Sequence, residues 1–327
     1  MESNNLSKVQ KNVNKIEFYN LSKGQEDAFV IKIIRDSNEI VMLVDGGKNS
    51  SYIDDLKQLD INKIDYIVLT HIDQDHIKGF IKLLEQNFCC DDATIVYNKF
   101  VNGLISYKQA ERFEELIKNK SVIVSYLDYQ EAKSDDIIFL SVEQRKKLMK
   151  DDDEIYFTFL GPSKKEVEHL YSAYEYYIEH KRKKKISNDA VIVNKSSIMF
   201  MLEYNKNTIL MLGDGFISDV NSKLQILTDS IKTYCRIEKI SLLKIPHHGS
   251  EKNNIGIQTY ISGLCNNYVL TASASGNVAI KEELKNNLKD KNIYVSNNKS
   301  DNDKLNLDND HNVKNGTTII LMEGEIQ

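Results

Sequence analysis

The sequence predicts an α/β chain folded as one sandwich, and three observations carry that prediction. The two halves share one grammar, adjacent strands followed by a helix. Short apolar, β-branched runs are bounded by Gly, Asp or Asn, the pattern of buried strands. Between them lie segments with apolar residues three and four positions apart, the spacing of helices that cover one face of a sheet. At 41 % hydrophobic residues, the 327-residue chain has ample material for a core. No repeat strong enough for a solenoid is visible.

In order, residues 15–19, 28–35 and 39–44 read as three successive strands, the last running into Asp45-Gly46-Gly47. Residues 54–59 read as a short helix and 64–70 as a buried strand. The helix that follows carries Ile77, Phe80, Ile81 and Leu84 on one face. Ala110, Phe113, Leu116 and Ile117 mark a helix within 106–119. Strands are expected at 121–126 and 137–140, a charged helix at 141–150, and a strand at 155–160 closed by Gly161-Pro162. A long helix is predicted over 163–184, with Val167, Leu170, Tyr171, Tyr174, Tyr177 and Ile178 on one face. Its basic end, Lys181 to Lys185, suits the helix dipole. Residues 189–193, 197–204 and 208–212 read as strands, with a tight turn at Asn205-Lys206-Asn207. A helix at 217–233, strands at 241–245 and 268–270, a helix at 279–288 and strands at 292–295 and 317–322 complete the chain. Residues 297–315, rich in Asn, Asp and Lys, read as an exposed loop.

Several classes are excluded or disfavoured. No apolar run approaches the roughly 20 residues of a membrane span, so no membrane partner is expected. The segment Met1-Glu2-Ser3-Asn4-Asn5 has neither a basic flank nor an apolar stretch, so a secretory signal is not expected. The four cysteines (89, 90, 235 and 265) form no C-x-x-C, which disfavours a disulfide scaffold or thiolate zinc site and fits a reduced, cytoplasmic protein. The net charge of −5 disfavours a general nucleic-acid coat protein.

The strongest chemical signal is Thr70-His71-Ile72-Asp73-Gln74-Asp75-His76, directly after a predicted strand. Burying two carboxylates and two imidazoles together costs several kcal/mol unless cations or protein partners compensate them. Imidazole nitrogen with carboxylate oxygen is a ligand mixture suited to Zn²⁺, Mn²⁺ or a similar ion. Asp45 ends a strand before two glycines, Asp214 lies in Leu212-Gly213-Asp214-Gly215, and His247-His248-Gly249-Ser250 follows Leu243-Lys244-Ile245-Pro246. Together these place acids and imidazoles at the ends of buried strands.

With these residues the sequence resembles the metallo-β-lactamase-fold hydrolases, and in particular their ComEC-like branch. The common signature of the fold, H-x-H-x-D-H, reads here His71-x-Asp73-x-Asp75-His76, with Asp at the second position as in that branch. Leu160-Gly161-Pro162, the segment Asn194 to Met199, Leu212-Gly213-Asp214-Gly215 and Leu243 to Ser250 are similar to it in the same order, over about residues 15–275. The resemblance implies a four-layer αββα sandwich, here one domain over 1–327 with a helical insertion at about 98–187. It implies one or two divalent ions, Zn²⁺ or Mn²⁺ with Mg²⁺ as a further candidate. His71 and Asp73 would hold the first, Asp75 and His76 the second together with one of His247 or His248, His248 being favoured, and Asp214 would bridge. Asp45 would stand behind the site, orienting a His or the attacking water. His247, with Ser250, would contact substrate oxygen, and Asn194 and Ser197 would line the pocket. One departure stands out: many members supply a further mid-chain His to the first ion, and here only His169 and His180, inside the long helix, are available.

The activity so implied is hydrolysis of a phosphodiester by metal-activated water, with DNA as substrate and a place in bacterial anti-phage defence. Two other readings are carried alongside. One is a small-molecule metallohydrolase acting on a cyclic nucleotide or phosphoester. The other is a non-catalytic partner or sensor subunit that docks a protein through 98–187. The basic run at 180–185 beside Tyr171, Tyr174, Tyr176 and Tyr177 would suit a single strand, though tyrosines at helical spacing more often pack in a core.

Overall fold

In the computed structural model, which describes residues 14–36, 38–98, 107–124, 136–181, 185–229, 236–261, 263–271, 282–295, 312–315, 318–322 and 325–326, the apolar runs pair into two eight-stranded sheets. Strands β1 (Lys15–Asn20), β2 (Ala28–Arg35) and β3 (Asn38–Gly46) are antiparallel neighbours. Helix α1 (Ser51–Gln58) then leads to β4 (Tyr66–Val68), α2 (Gln74–Gln86) to β5 (Thr94–Tyr97) and α3 (Tyr107–Ile117) to β6 (Val122–Val124). Each of these strands joins parallel to the one before.

The chain enters the second sheet with β7 (Ile138–Ser141), α4 (Val142–Lys147) and β8 (Tyr156–Gly161). Helices α5 (Lys164–Glu179) and α6 (Asp189–Lys195) precede the hairpin β9 (Met199–Tyr204) and β10 (Asn207–Met211). Both Asn205 and Lys206 at its tip have positive φ, the geometry that matches strand twist in a two-residue turn. After α7 (Ile217–Thr228) come β11 (Leu242–Lys244), a 3-10 turn at Pro246–Gly249, α8 (Glu251–Asn254) and α9 (Ile257–Tyr260). Strand β12 (Asn267–Leu270), α10 (Glu282–Asn287), β13 (Asn292–Val295) and β14 (Asn312–Asn315) extend the sheet. Strands β15 (Thr318–Met322) and β16 (Glu325–Ile326) return to the first sheet, where β15 pairs with β1. The sheet orders are β16-β15-β1-β2-β3-β4-β5-β6 and β14-β13-β12-β11-β10-β9-β8-β7.

Period-two alternation builds the layers. Phe18, Phe29, Ile31, Met42 and Val44 point between the sheets onto Phe157, Phe200, Leu202 and Ile209. On the opposite face of the first sheet Val30, Leu43, Ile67 and Ile95 face outward beneath Leu56, Ile77, Phe80, Phe113 and Leu170. On the far side Met201, Leu210, Leu243 and Tyr268 lie beneath Val220, Leu224 and Leu288. Each fully buried apolar side chain of this size contributes about 1.5–3 kcal/mol, so both faces of both sheets must be covered. Helices, sheet, sheet, helices is the four-layer αββα sandwich of the metallo-β-lactamase fold. Among the described residues, no helix is long and apolar enough to cross a membrane.

Three expectations are corrected. Residues 189–193 form a helix, α6, and not a strand: Val191 is exposed while Val193 and Asn194 are buried, so the run packs one helical face, with Asp189 in its first turn. The long helix α5 stops at Glu179, where Lys181 turns into the left-handed region. Its buried face is Val167, Leu170 and Ala173, and Ile178 is exposed. Within the expected loop at 297–315, Asn312–Asn315 is a strand, paired parallel with β13. The expected continuations over 125–126, 182–184, 230–233, 279–281 and 297–311 lie outside the described residues. The stretch 98–187 supplies β6 to the first sheet and β7 and β8 to the second.

The fold brings the C-terminal ends of β3, β4, β10, β11 and β12 to one edge of the sandwich, where open α/β sheets place their ligands. Helix α2 approaches the end of β3 so closely that a Cβ on Gly79 would strike the Gly46 carbonyl, and one on Gly46 would strike Phe80.

Candidate metal centre

The Thr70–His76 loop leaves β4 and opens α2. Asp73 is the N-cap residue of α2, yet its side chain takes no capping hydrogen bond. Such a cap is typically worth about 1 kcal/mol, and here the carboxylate turns instead toward His71, Oδ2 to Nε2 3.8 Å. Asp75 and His76 follow in the first turn of the helix. Asp45, at the end of β3 with φ 57°, lies behind the loop. Its Oδ1 accepts the Thr70 N–H at 2.9 Å, and its Oδ2 accepts the Thr70 hydroxyl at 2.7 Å and His76 Nδ1 at 2.8 Å.

These partners assign the imidazole tautomers. The Thr70 hydroxyl proton goes to Asp45, so Thr70 Oγ1 accepts from His71 Nδ1 at 3.1 Å. His248 Nδ1 donates to Thr271, 2.9 Å to Oγ1 and 3.1 Å to the carbonyl, while the Thr271 hydroxyl donates to Asp27 at 2.7 Å. In His71, His76 and His248 the Nδ1 is thus spent outward and Nε2 points inward.

Asp214 is the centre on which they converge. Its Oδ1 is 3.5 Å from His76 Nε2 and its Oδ2 is 3.8 Å from His71 Nε2 and 3.6 Å from His247 Nε2. His248 Nε2 lies 3.5 Å from Asp75 Oδ2. Lys244 forms an ion pair with Asp27, donates to the Gly213 carbonyl at 3.2 Å and stands 3.9 Å from Asp214 Oδ1. Asp27, Asp45, His71, His76, Asp214, Lys244 and His248 are all buried.

The electrostatics follow from that burial. Burial and the charge of His76 push His71 down to about 3, so it is neutral at pH 7. Burial would also neutralise His76, but Asp45 and Asp214 on either side hold it well above its ordinary value. Burial pushes the Asp45 carboxyl up, only partly offset by His76. Asp214 is held well below the usual carboxylate range by His76, His71 and His248, against its own burial. Asp27 is likewise lowered against burial, chiefly by Lys244.

This donor set fits a metal. Two ligand atoms about 2.0–2.1 Å from a tetrahedral ion lie roughly 3.4 Å apart, close to the separations of 3.5–3.8 Å found here. His71 Nε2, His76 Nε2, His248 Nε2 and Asp214 Oδ1 are buried without a hydrogen-bond partner. Buried polar atoms are rarely left so without a ligand or function. The groups His71, His76 and Asp214, and Asp75, His76 and His248, could each hold an ion.

The other predicted residues are placed as follows. Asn194 Nδ2 lies 3.1 Å from His247 Nδ1. Ser197 is fully buried and accepts the Asp214 N–H at 3.2 Å. Ser250 follows the 3-10 turn, where its carbonyl accepts from Asn254 at 2.7 Å. His169 and His180 are exposed on or just after α5, and His180 is tied to the Tyr176 carbonyl at 2.7 Å. Tyr171 and Tyr174 pack against the outer core of the first sheet. The sequence reading missed Asp27, Thr70, Lys244, Asn253 and Thr271. Lys244 carried a signal, a cation inside an apolar strand; Asp27 and Thr271 sit at strand termini, the same rule that found Asp45.

Residues 22–158 match the sequence model of the Metallo-beta-lactamase superfamily. That matched stretch, which includes the His71–His76 loop, is similar to the metallo-beta-lactamase superfamily. No curated protein matches the sequence. Among solved structures, the metallo-beta-lactamase fold protein YhfI from Bacillus subtilis is 10 % identical with a TM-score of 0.46, covering 86 % of this chain and 96 % of its own. A diphosphatase from the PhnP family is 12 % identical, TM-score 0.40, over 79 % and 87 %. The short form of human tRNase Z is 17 % identical, TM-score 0.40, over 78 % and 92 %.

Proposed function

We propose that the chain is a metal-dependent hydrolase that cleaves phosphodiester bonds, with DNA as its substrate. One observation carries the metal reading: three buried imidazole Nε2 atoms and the Asp214 carboxylate face one another without protein partners. His71 and Asp73 would hold one ion, Asp75, His76 and His248 a second, and Asp214 would bridge. Two divalent ions bound there would lower the pKa of a water and neutralise charge developing on phosphoryl oxygens.

The protein's own residues do the rest. Asp45 orients His76 and, through Thr70, His71. Thr271 and Asp27 orient His248. Ser197 holds the Asp214 main chain in place. Asp75 reaches the site from the first turn of α2, and its carboxylate is held low against burial by His248 and His76, so it stays ionised. The phosphodiester substrate is supported by the ComEC-like motifs and by the suitability of paired ions for phosphoryl transfer; a role in anti-phage defence rests on those motifs alone.

The test is cleavage of plasmid or oligonucleotide by purified protein with added Mn²⁺ or Zn²⁺, run beside metal analysis. Asp75→Ala should abolish cutting. Hydrolysis of bis(p-nitrophenyl) phosphate without cutting of DNA would transfer the reading to a small phosphoester. A metal-free protein that cuts neither would leave a binding role.

A further inference from the structure

One inward-facing nitrogen has no role in this scheme, and its assignment rests on the metal-centre reading above. Asn253 Nδ2 donates to the Asp214 carbonyl at 2.7 Å and the Gly215 carbonyl at 3.3 Å. Its Oδ1 is thereby fixed as an acceptor, so His247 Nδ1, 3.0 Å away, is the donor. His247 Nε2 faces Asp214 Oδ2 at 3.6 Å, and His71 Nε2 approaches the same oxygen at 3.8 Å, both beyond hydrogen-bond distance. Ligand-capable atoms that converge at this spacing without bonding one another are arranged as they would be around a cation.

We propose that His247 Nε2 is a metal ligand, so that the vicinal pair gives one imidazole to each ion. His71, Asp73, Asp214 Oδ2 and His247 surround the first, and Asp75, His76, Asp214 Oδ1 and His248 the second. The backbone supports this arrangement. His247 and His248 have φ of 46° and 51°, two successive side-chain-bearing residues in the left-handed region. Such strain persists where surrounding structure imposes it, and it gathers at functional sites. Its effect here is to set adjacent rings at 68° with centroids 5.9 Å apart, one toward Asp214 and one toward Asp75. His247 is the most solvent-accessible of the four rings, its side chain 34 % exposed, so a contact to substrate oxygen is the competing assignment.

Titration of the chelator-stripped full chain with Zn²⁺ alone, without substrate, separates the two. By calorimetry and metal analysis the wild type should bind two ions, and folded His247→Ala should bind one tightly and the other at least tenfold more weakly. Nitrogen-15 spectra of histidine-labelled wild type give a readout that needs no variant: the Nε2 resonances of His247 and His71 should move in the same step. A folded His247→Ala that binds two ions with wild-type affinity, or a His247 resonance that stays put while His71, His76 and His248 respond, overturns the assignment and leaves the metal centre standing. A wild type that binds no Zn²⁺ overturns both. Failure to cut DNA affects only the proposed substrate.

Discussion

Two buried ionic clusters in this molecule obey opposite rules. On the outer face of the second sheet, Arg145 of α4 meets Glu203 of β9 in a two-pronged pair, Nε to Oε2 2.6 Å and Nη2 to Oε1 2.9 Å, both residues almost fully buried. Donor and acceptor there match in number and geometry, and the pair is complete within the protein. At the sandwich edge, Asp27, Asp45, Asp75 and Asp214 gather around Lys244 and three buried imidazoles, and four inward atoms have no protein partner. Equal burial thus serves two ends. The closed pair joins a helix to a sheet, whereas the open cluster keeps four inward ligand atoms without a protein partner, as the proposed metal centre requires.

The comparison breaks most sharply on the closed pair. Arg145→Ala should lower unfolding stability by about 3–5 kcal/mol, because it strands the Glu203 charge in the core. Urea denaturation measures this, and Arg145→Met with Glu203→Leu should recover most of the loss. Addition of Zn²⁺ should leave the Arg145→Ala deficit unchanged.

The open cluster should respond to metal in the opposite way. Free Zn²⁺ at about a hundred times its dissociation constant should raise wild-type stability by about 2.7 kcal/mol. Asp214→Ala should lose that gain while losing little stability in the metal-free state. A metal-free Asp214→Ala as damaged as Arg145→Ala would erase the distinction between the clusters.

Asp45 tests the support behind the ligands. Asp45→Ala removes the acceptor of His76 Nδ1 and Thr70, and should weaken zinc binding roughly 10–100-fold. Competition with a chromogenic chelator gives the constant, and an unchanged value would mean that the ring orientations are held by packing alone.

The smallest effect is a proton. In the metal-free chain Asp45 and Asp214 keep His76 protonated well above its ordinary value, and a metal ligand must be deprotonated. Zinc uptake should therefore release a proton near pH 7, and apparent affinity should rise about tenfold per pH unit until the His76 value is passed. His71, already neutral with its value down near 3, should add nothing. Calorimetry in buffers of different ionisation enthalpy reads the proton count, and a count of zero would contradict the bracketed His76.

Much of this was legible from local pattern. The apolar run of 28–35 and the helical spacing of Ile77, Phe80 and Leu84 marked the two layers that flank the loop, since each depends on neighbours within a few residues. The run Asp189 to Val193 misled because β-branched residues favour strands only where a pleated neighbour exists; here it forms α6, which packs against α5. Asp27 escaped notice because its local setting is bland, and Lys244, a cation inside an apolar strand, gains its meaning only from its pairing with Asp27.

The sequence by itself determined the alternation of strands and helices and the cluster of acids and imidazoles in one seven-residue loop, features that local periodicity and residue chemistry specify. Only the tertiary structure decided which strand ends share an edge. That choice set Asp214 between His71 and His76, paired Asp27 with Lys244, and brought both rings of the His247-His248 turn onto carboxylates from distant segments. Its physical reason is that buried charge is compensated through space, across a few ångströms that the order of residues along the chain does not encode.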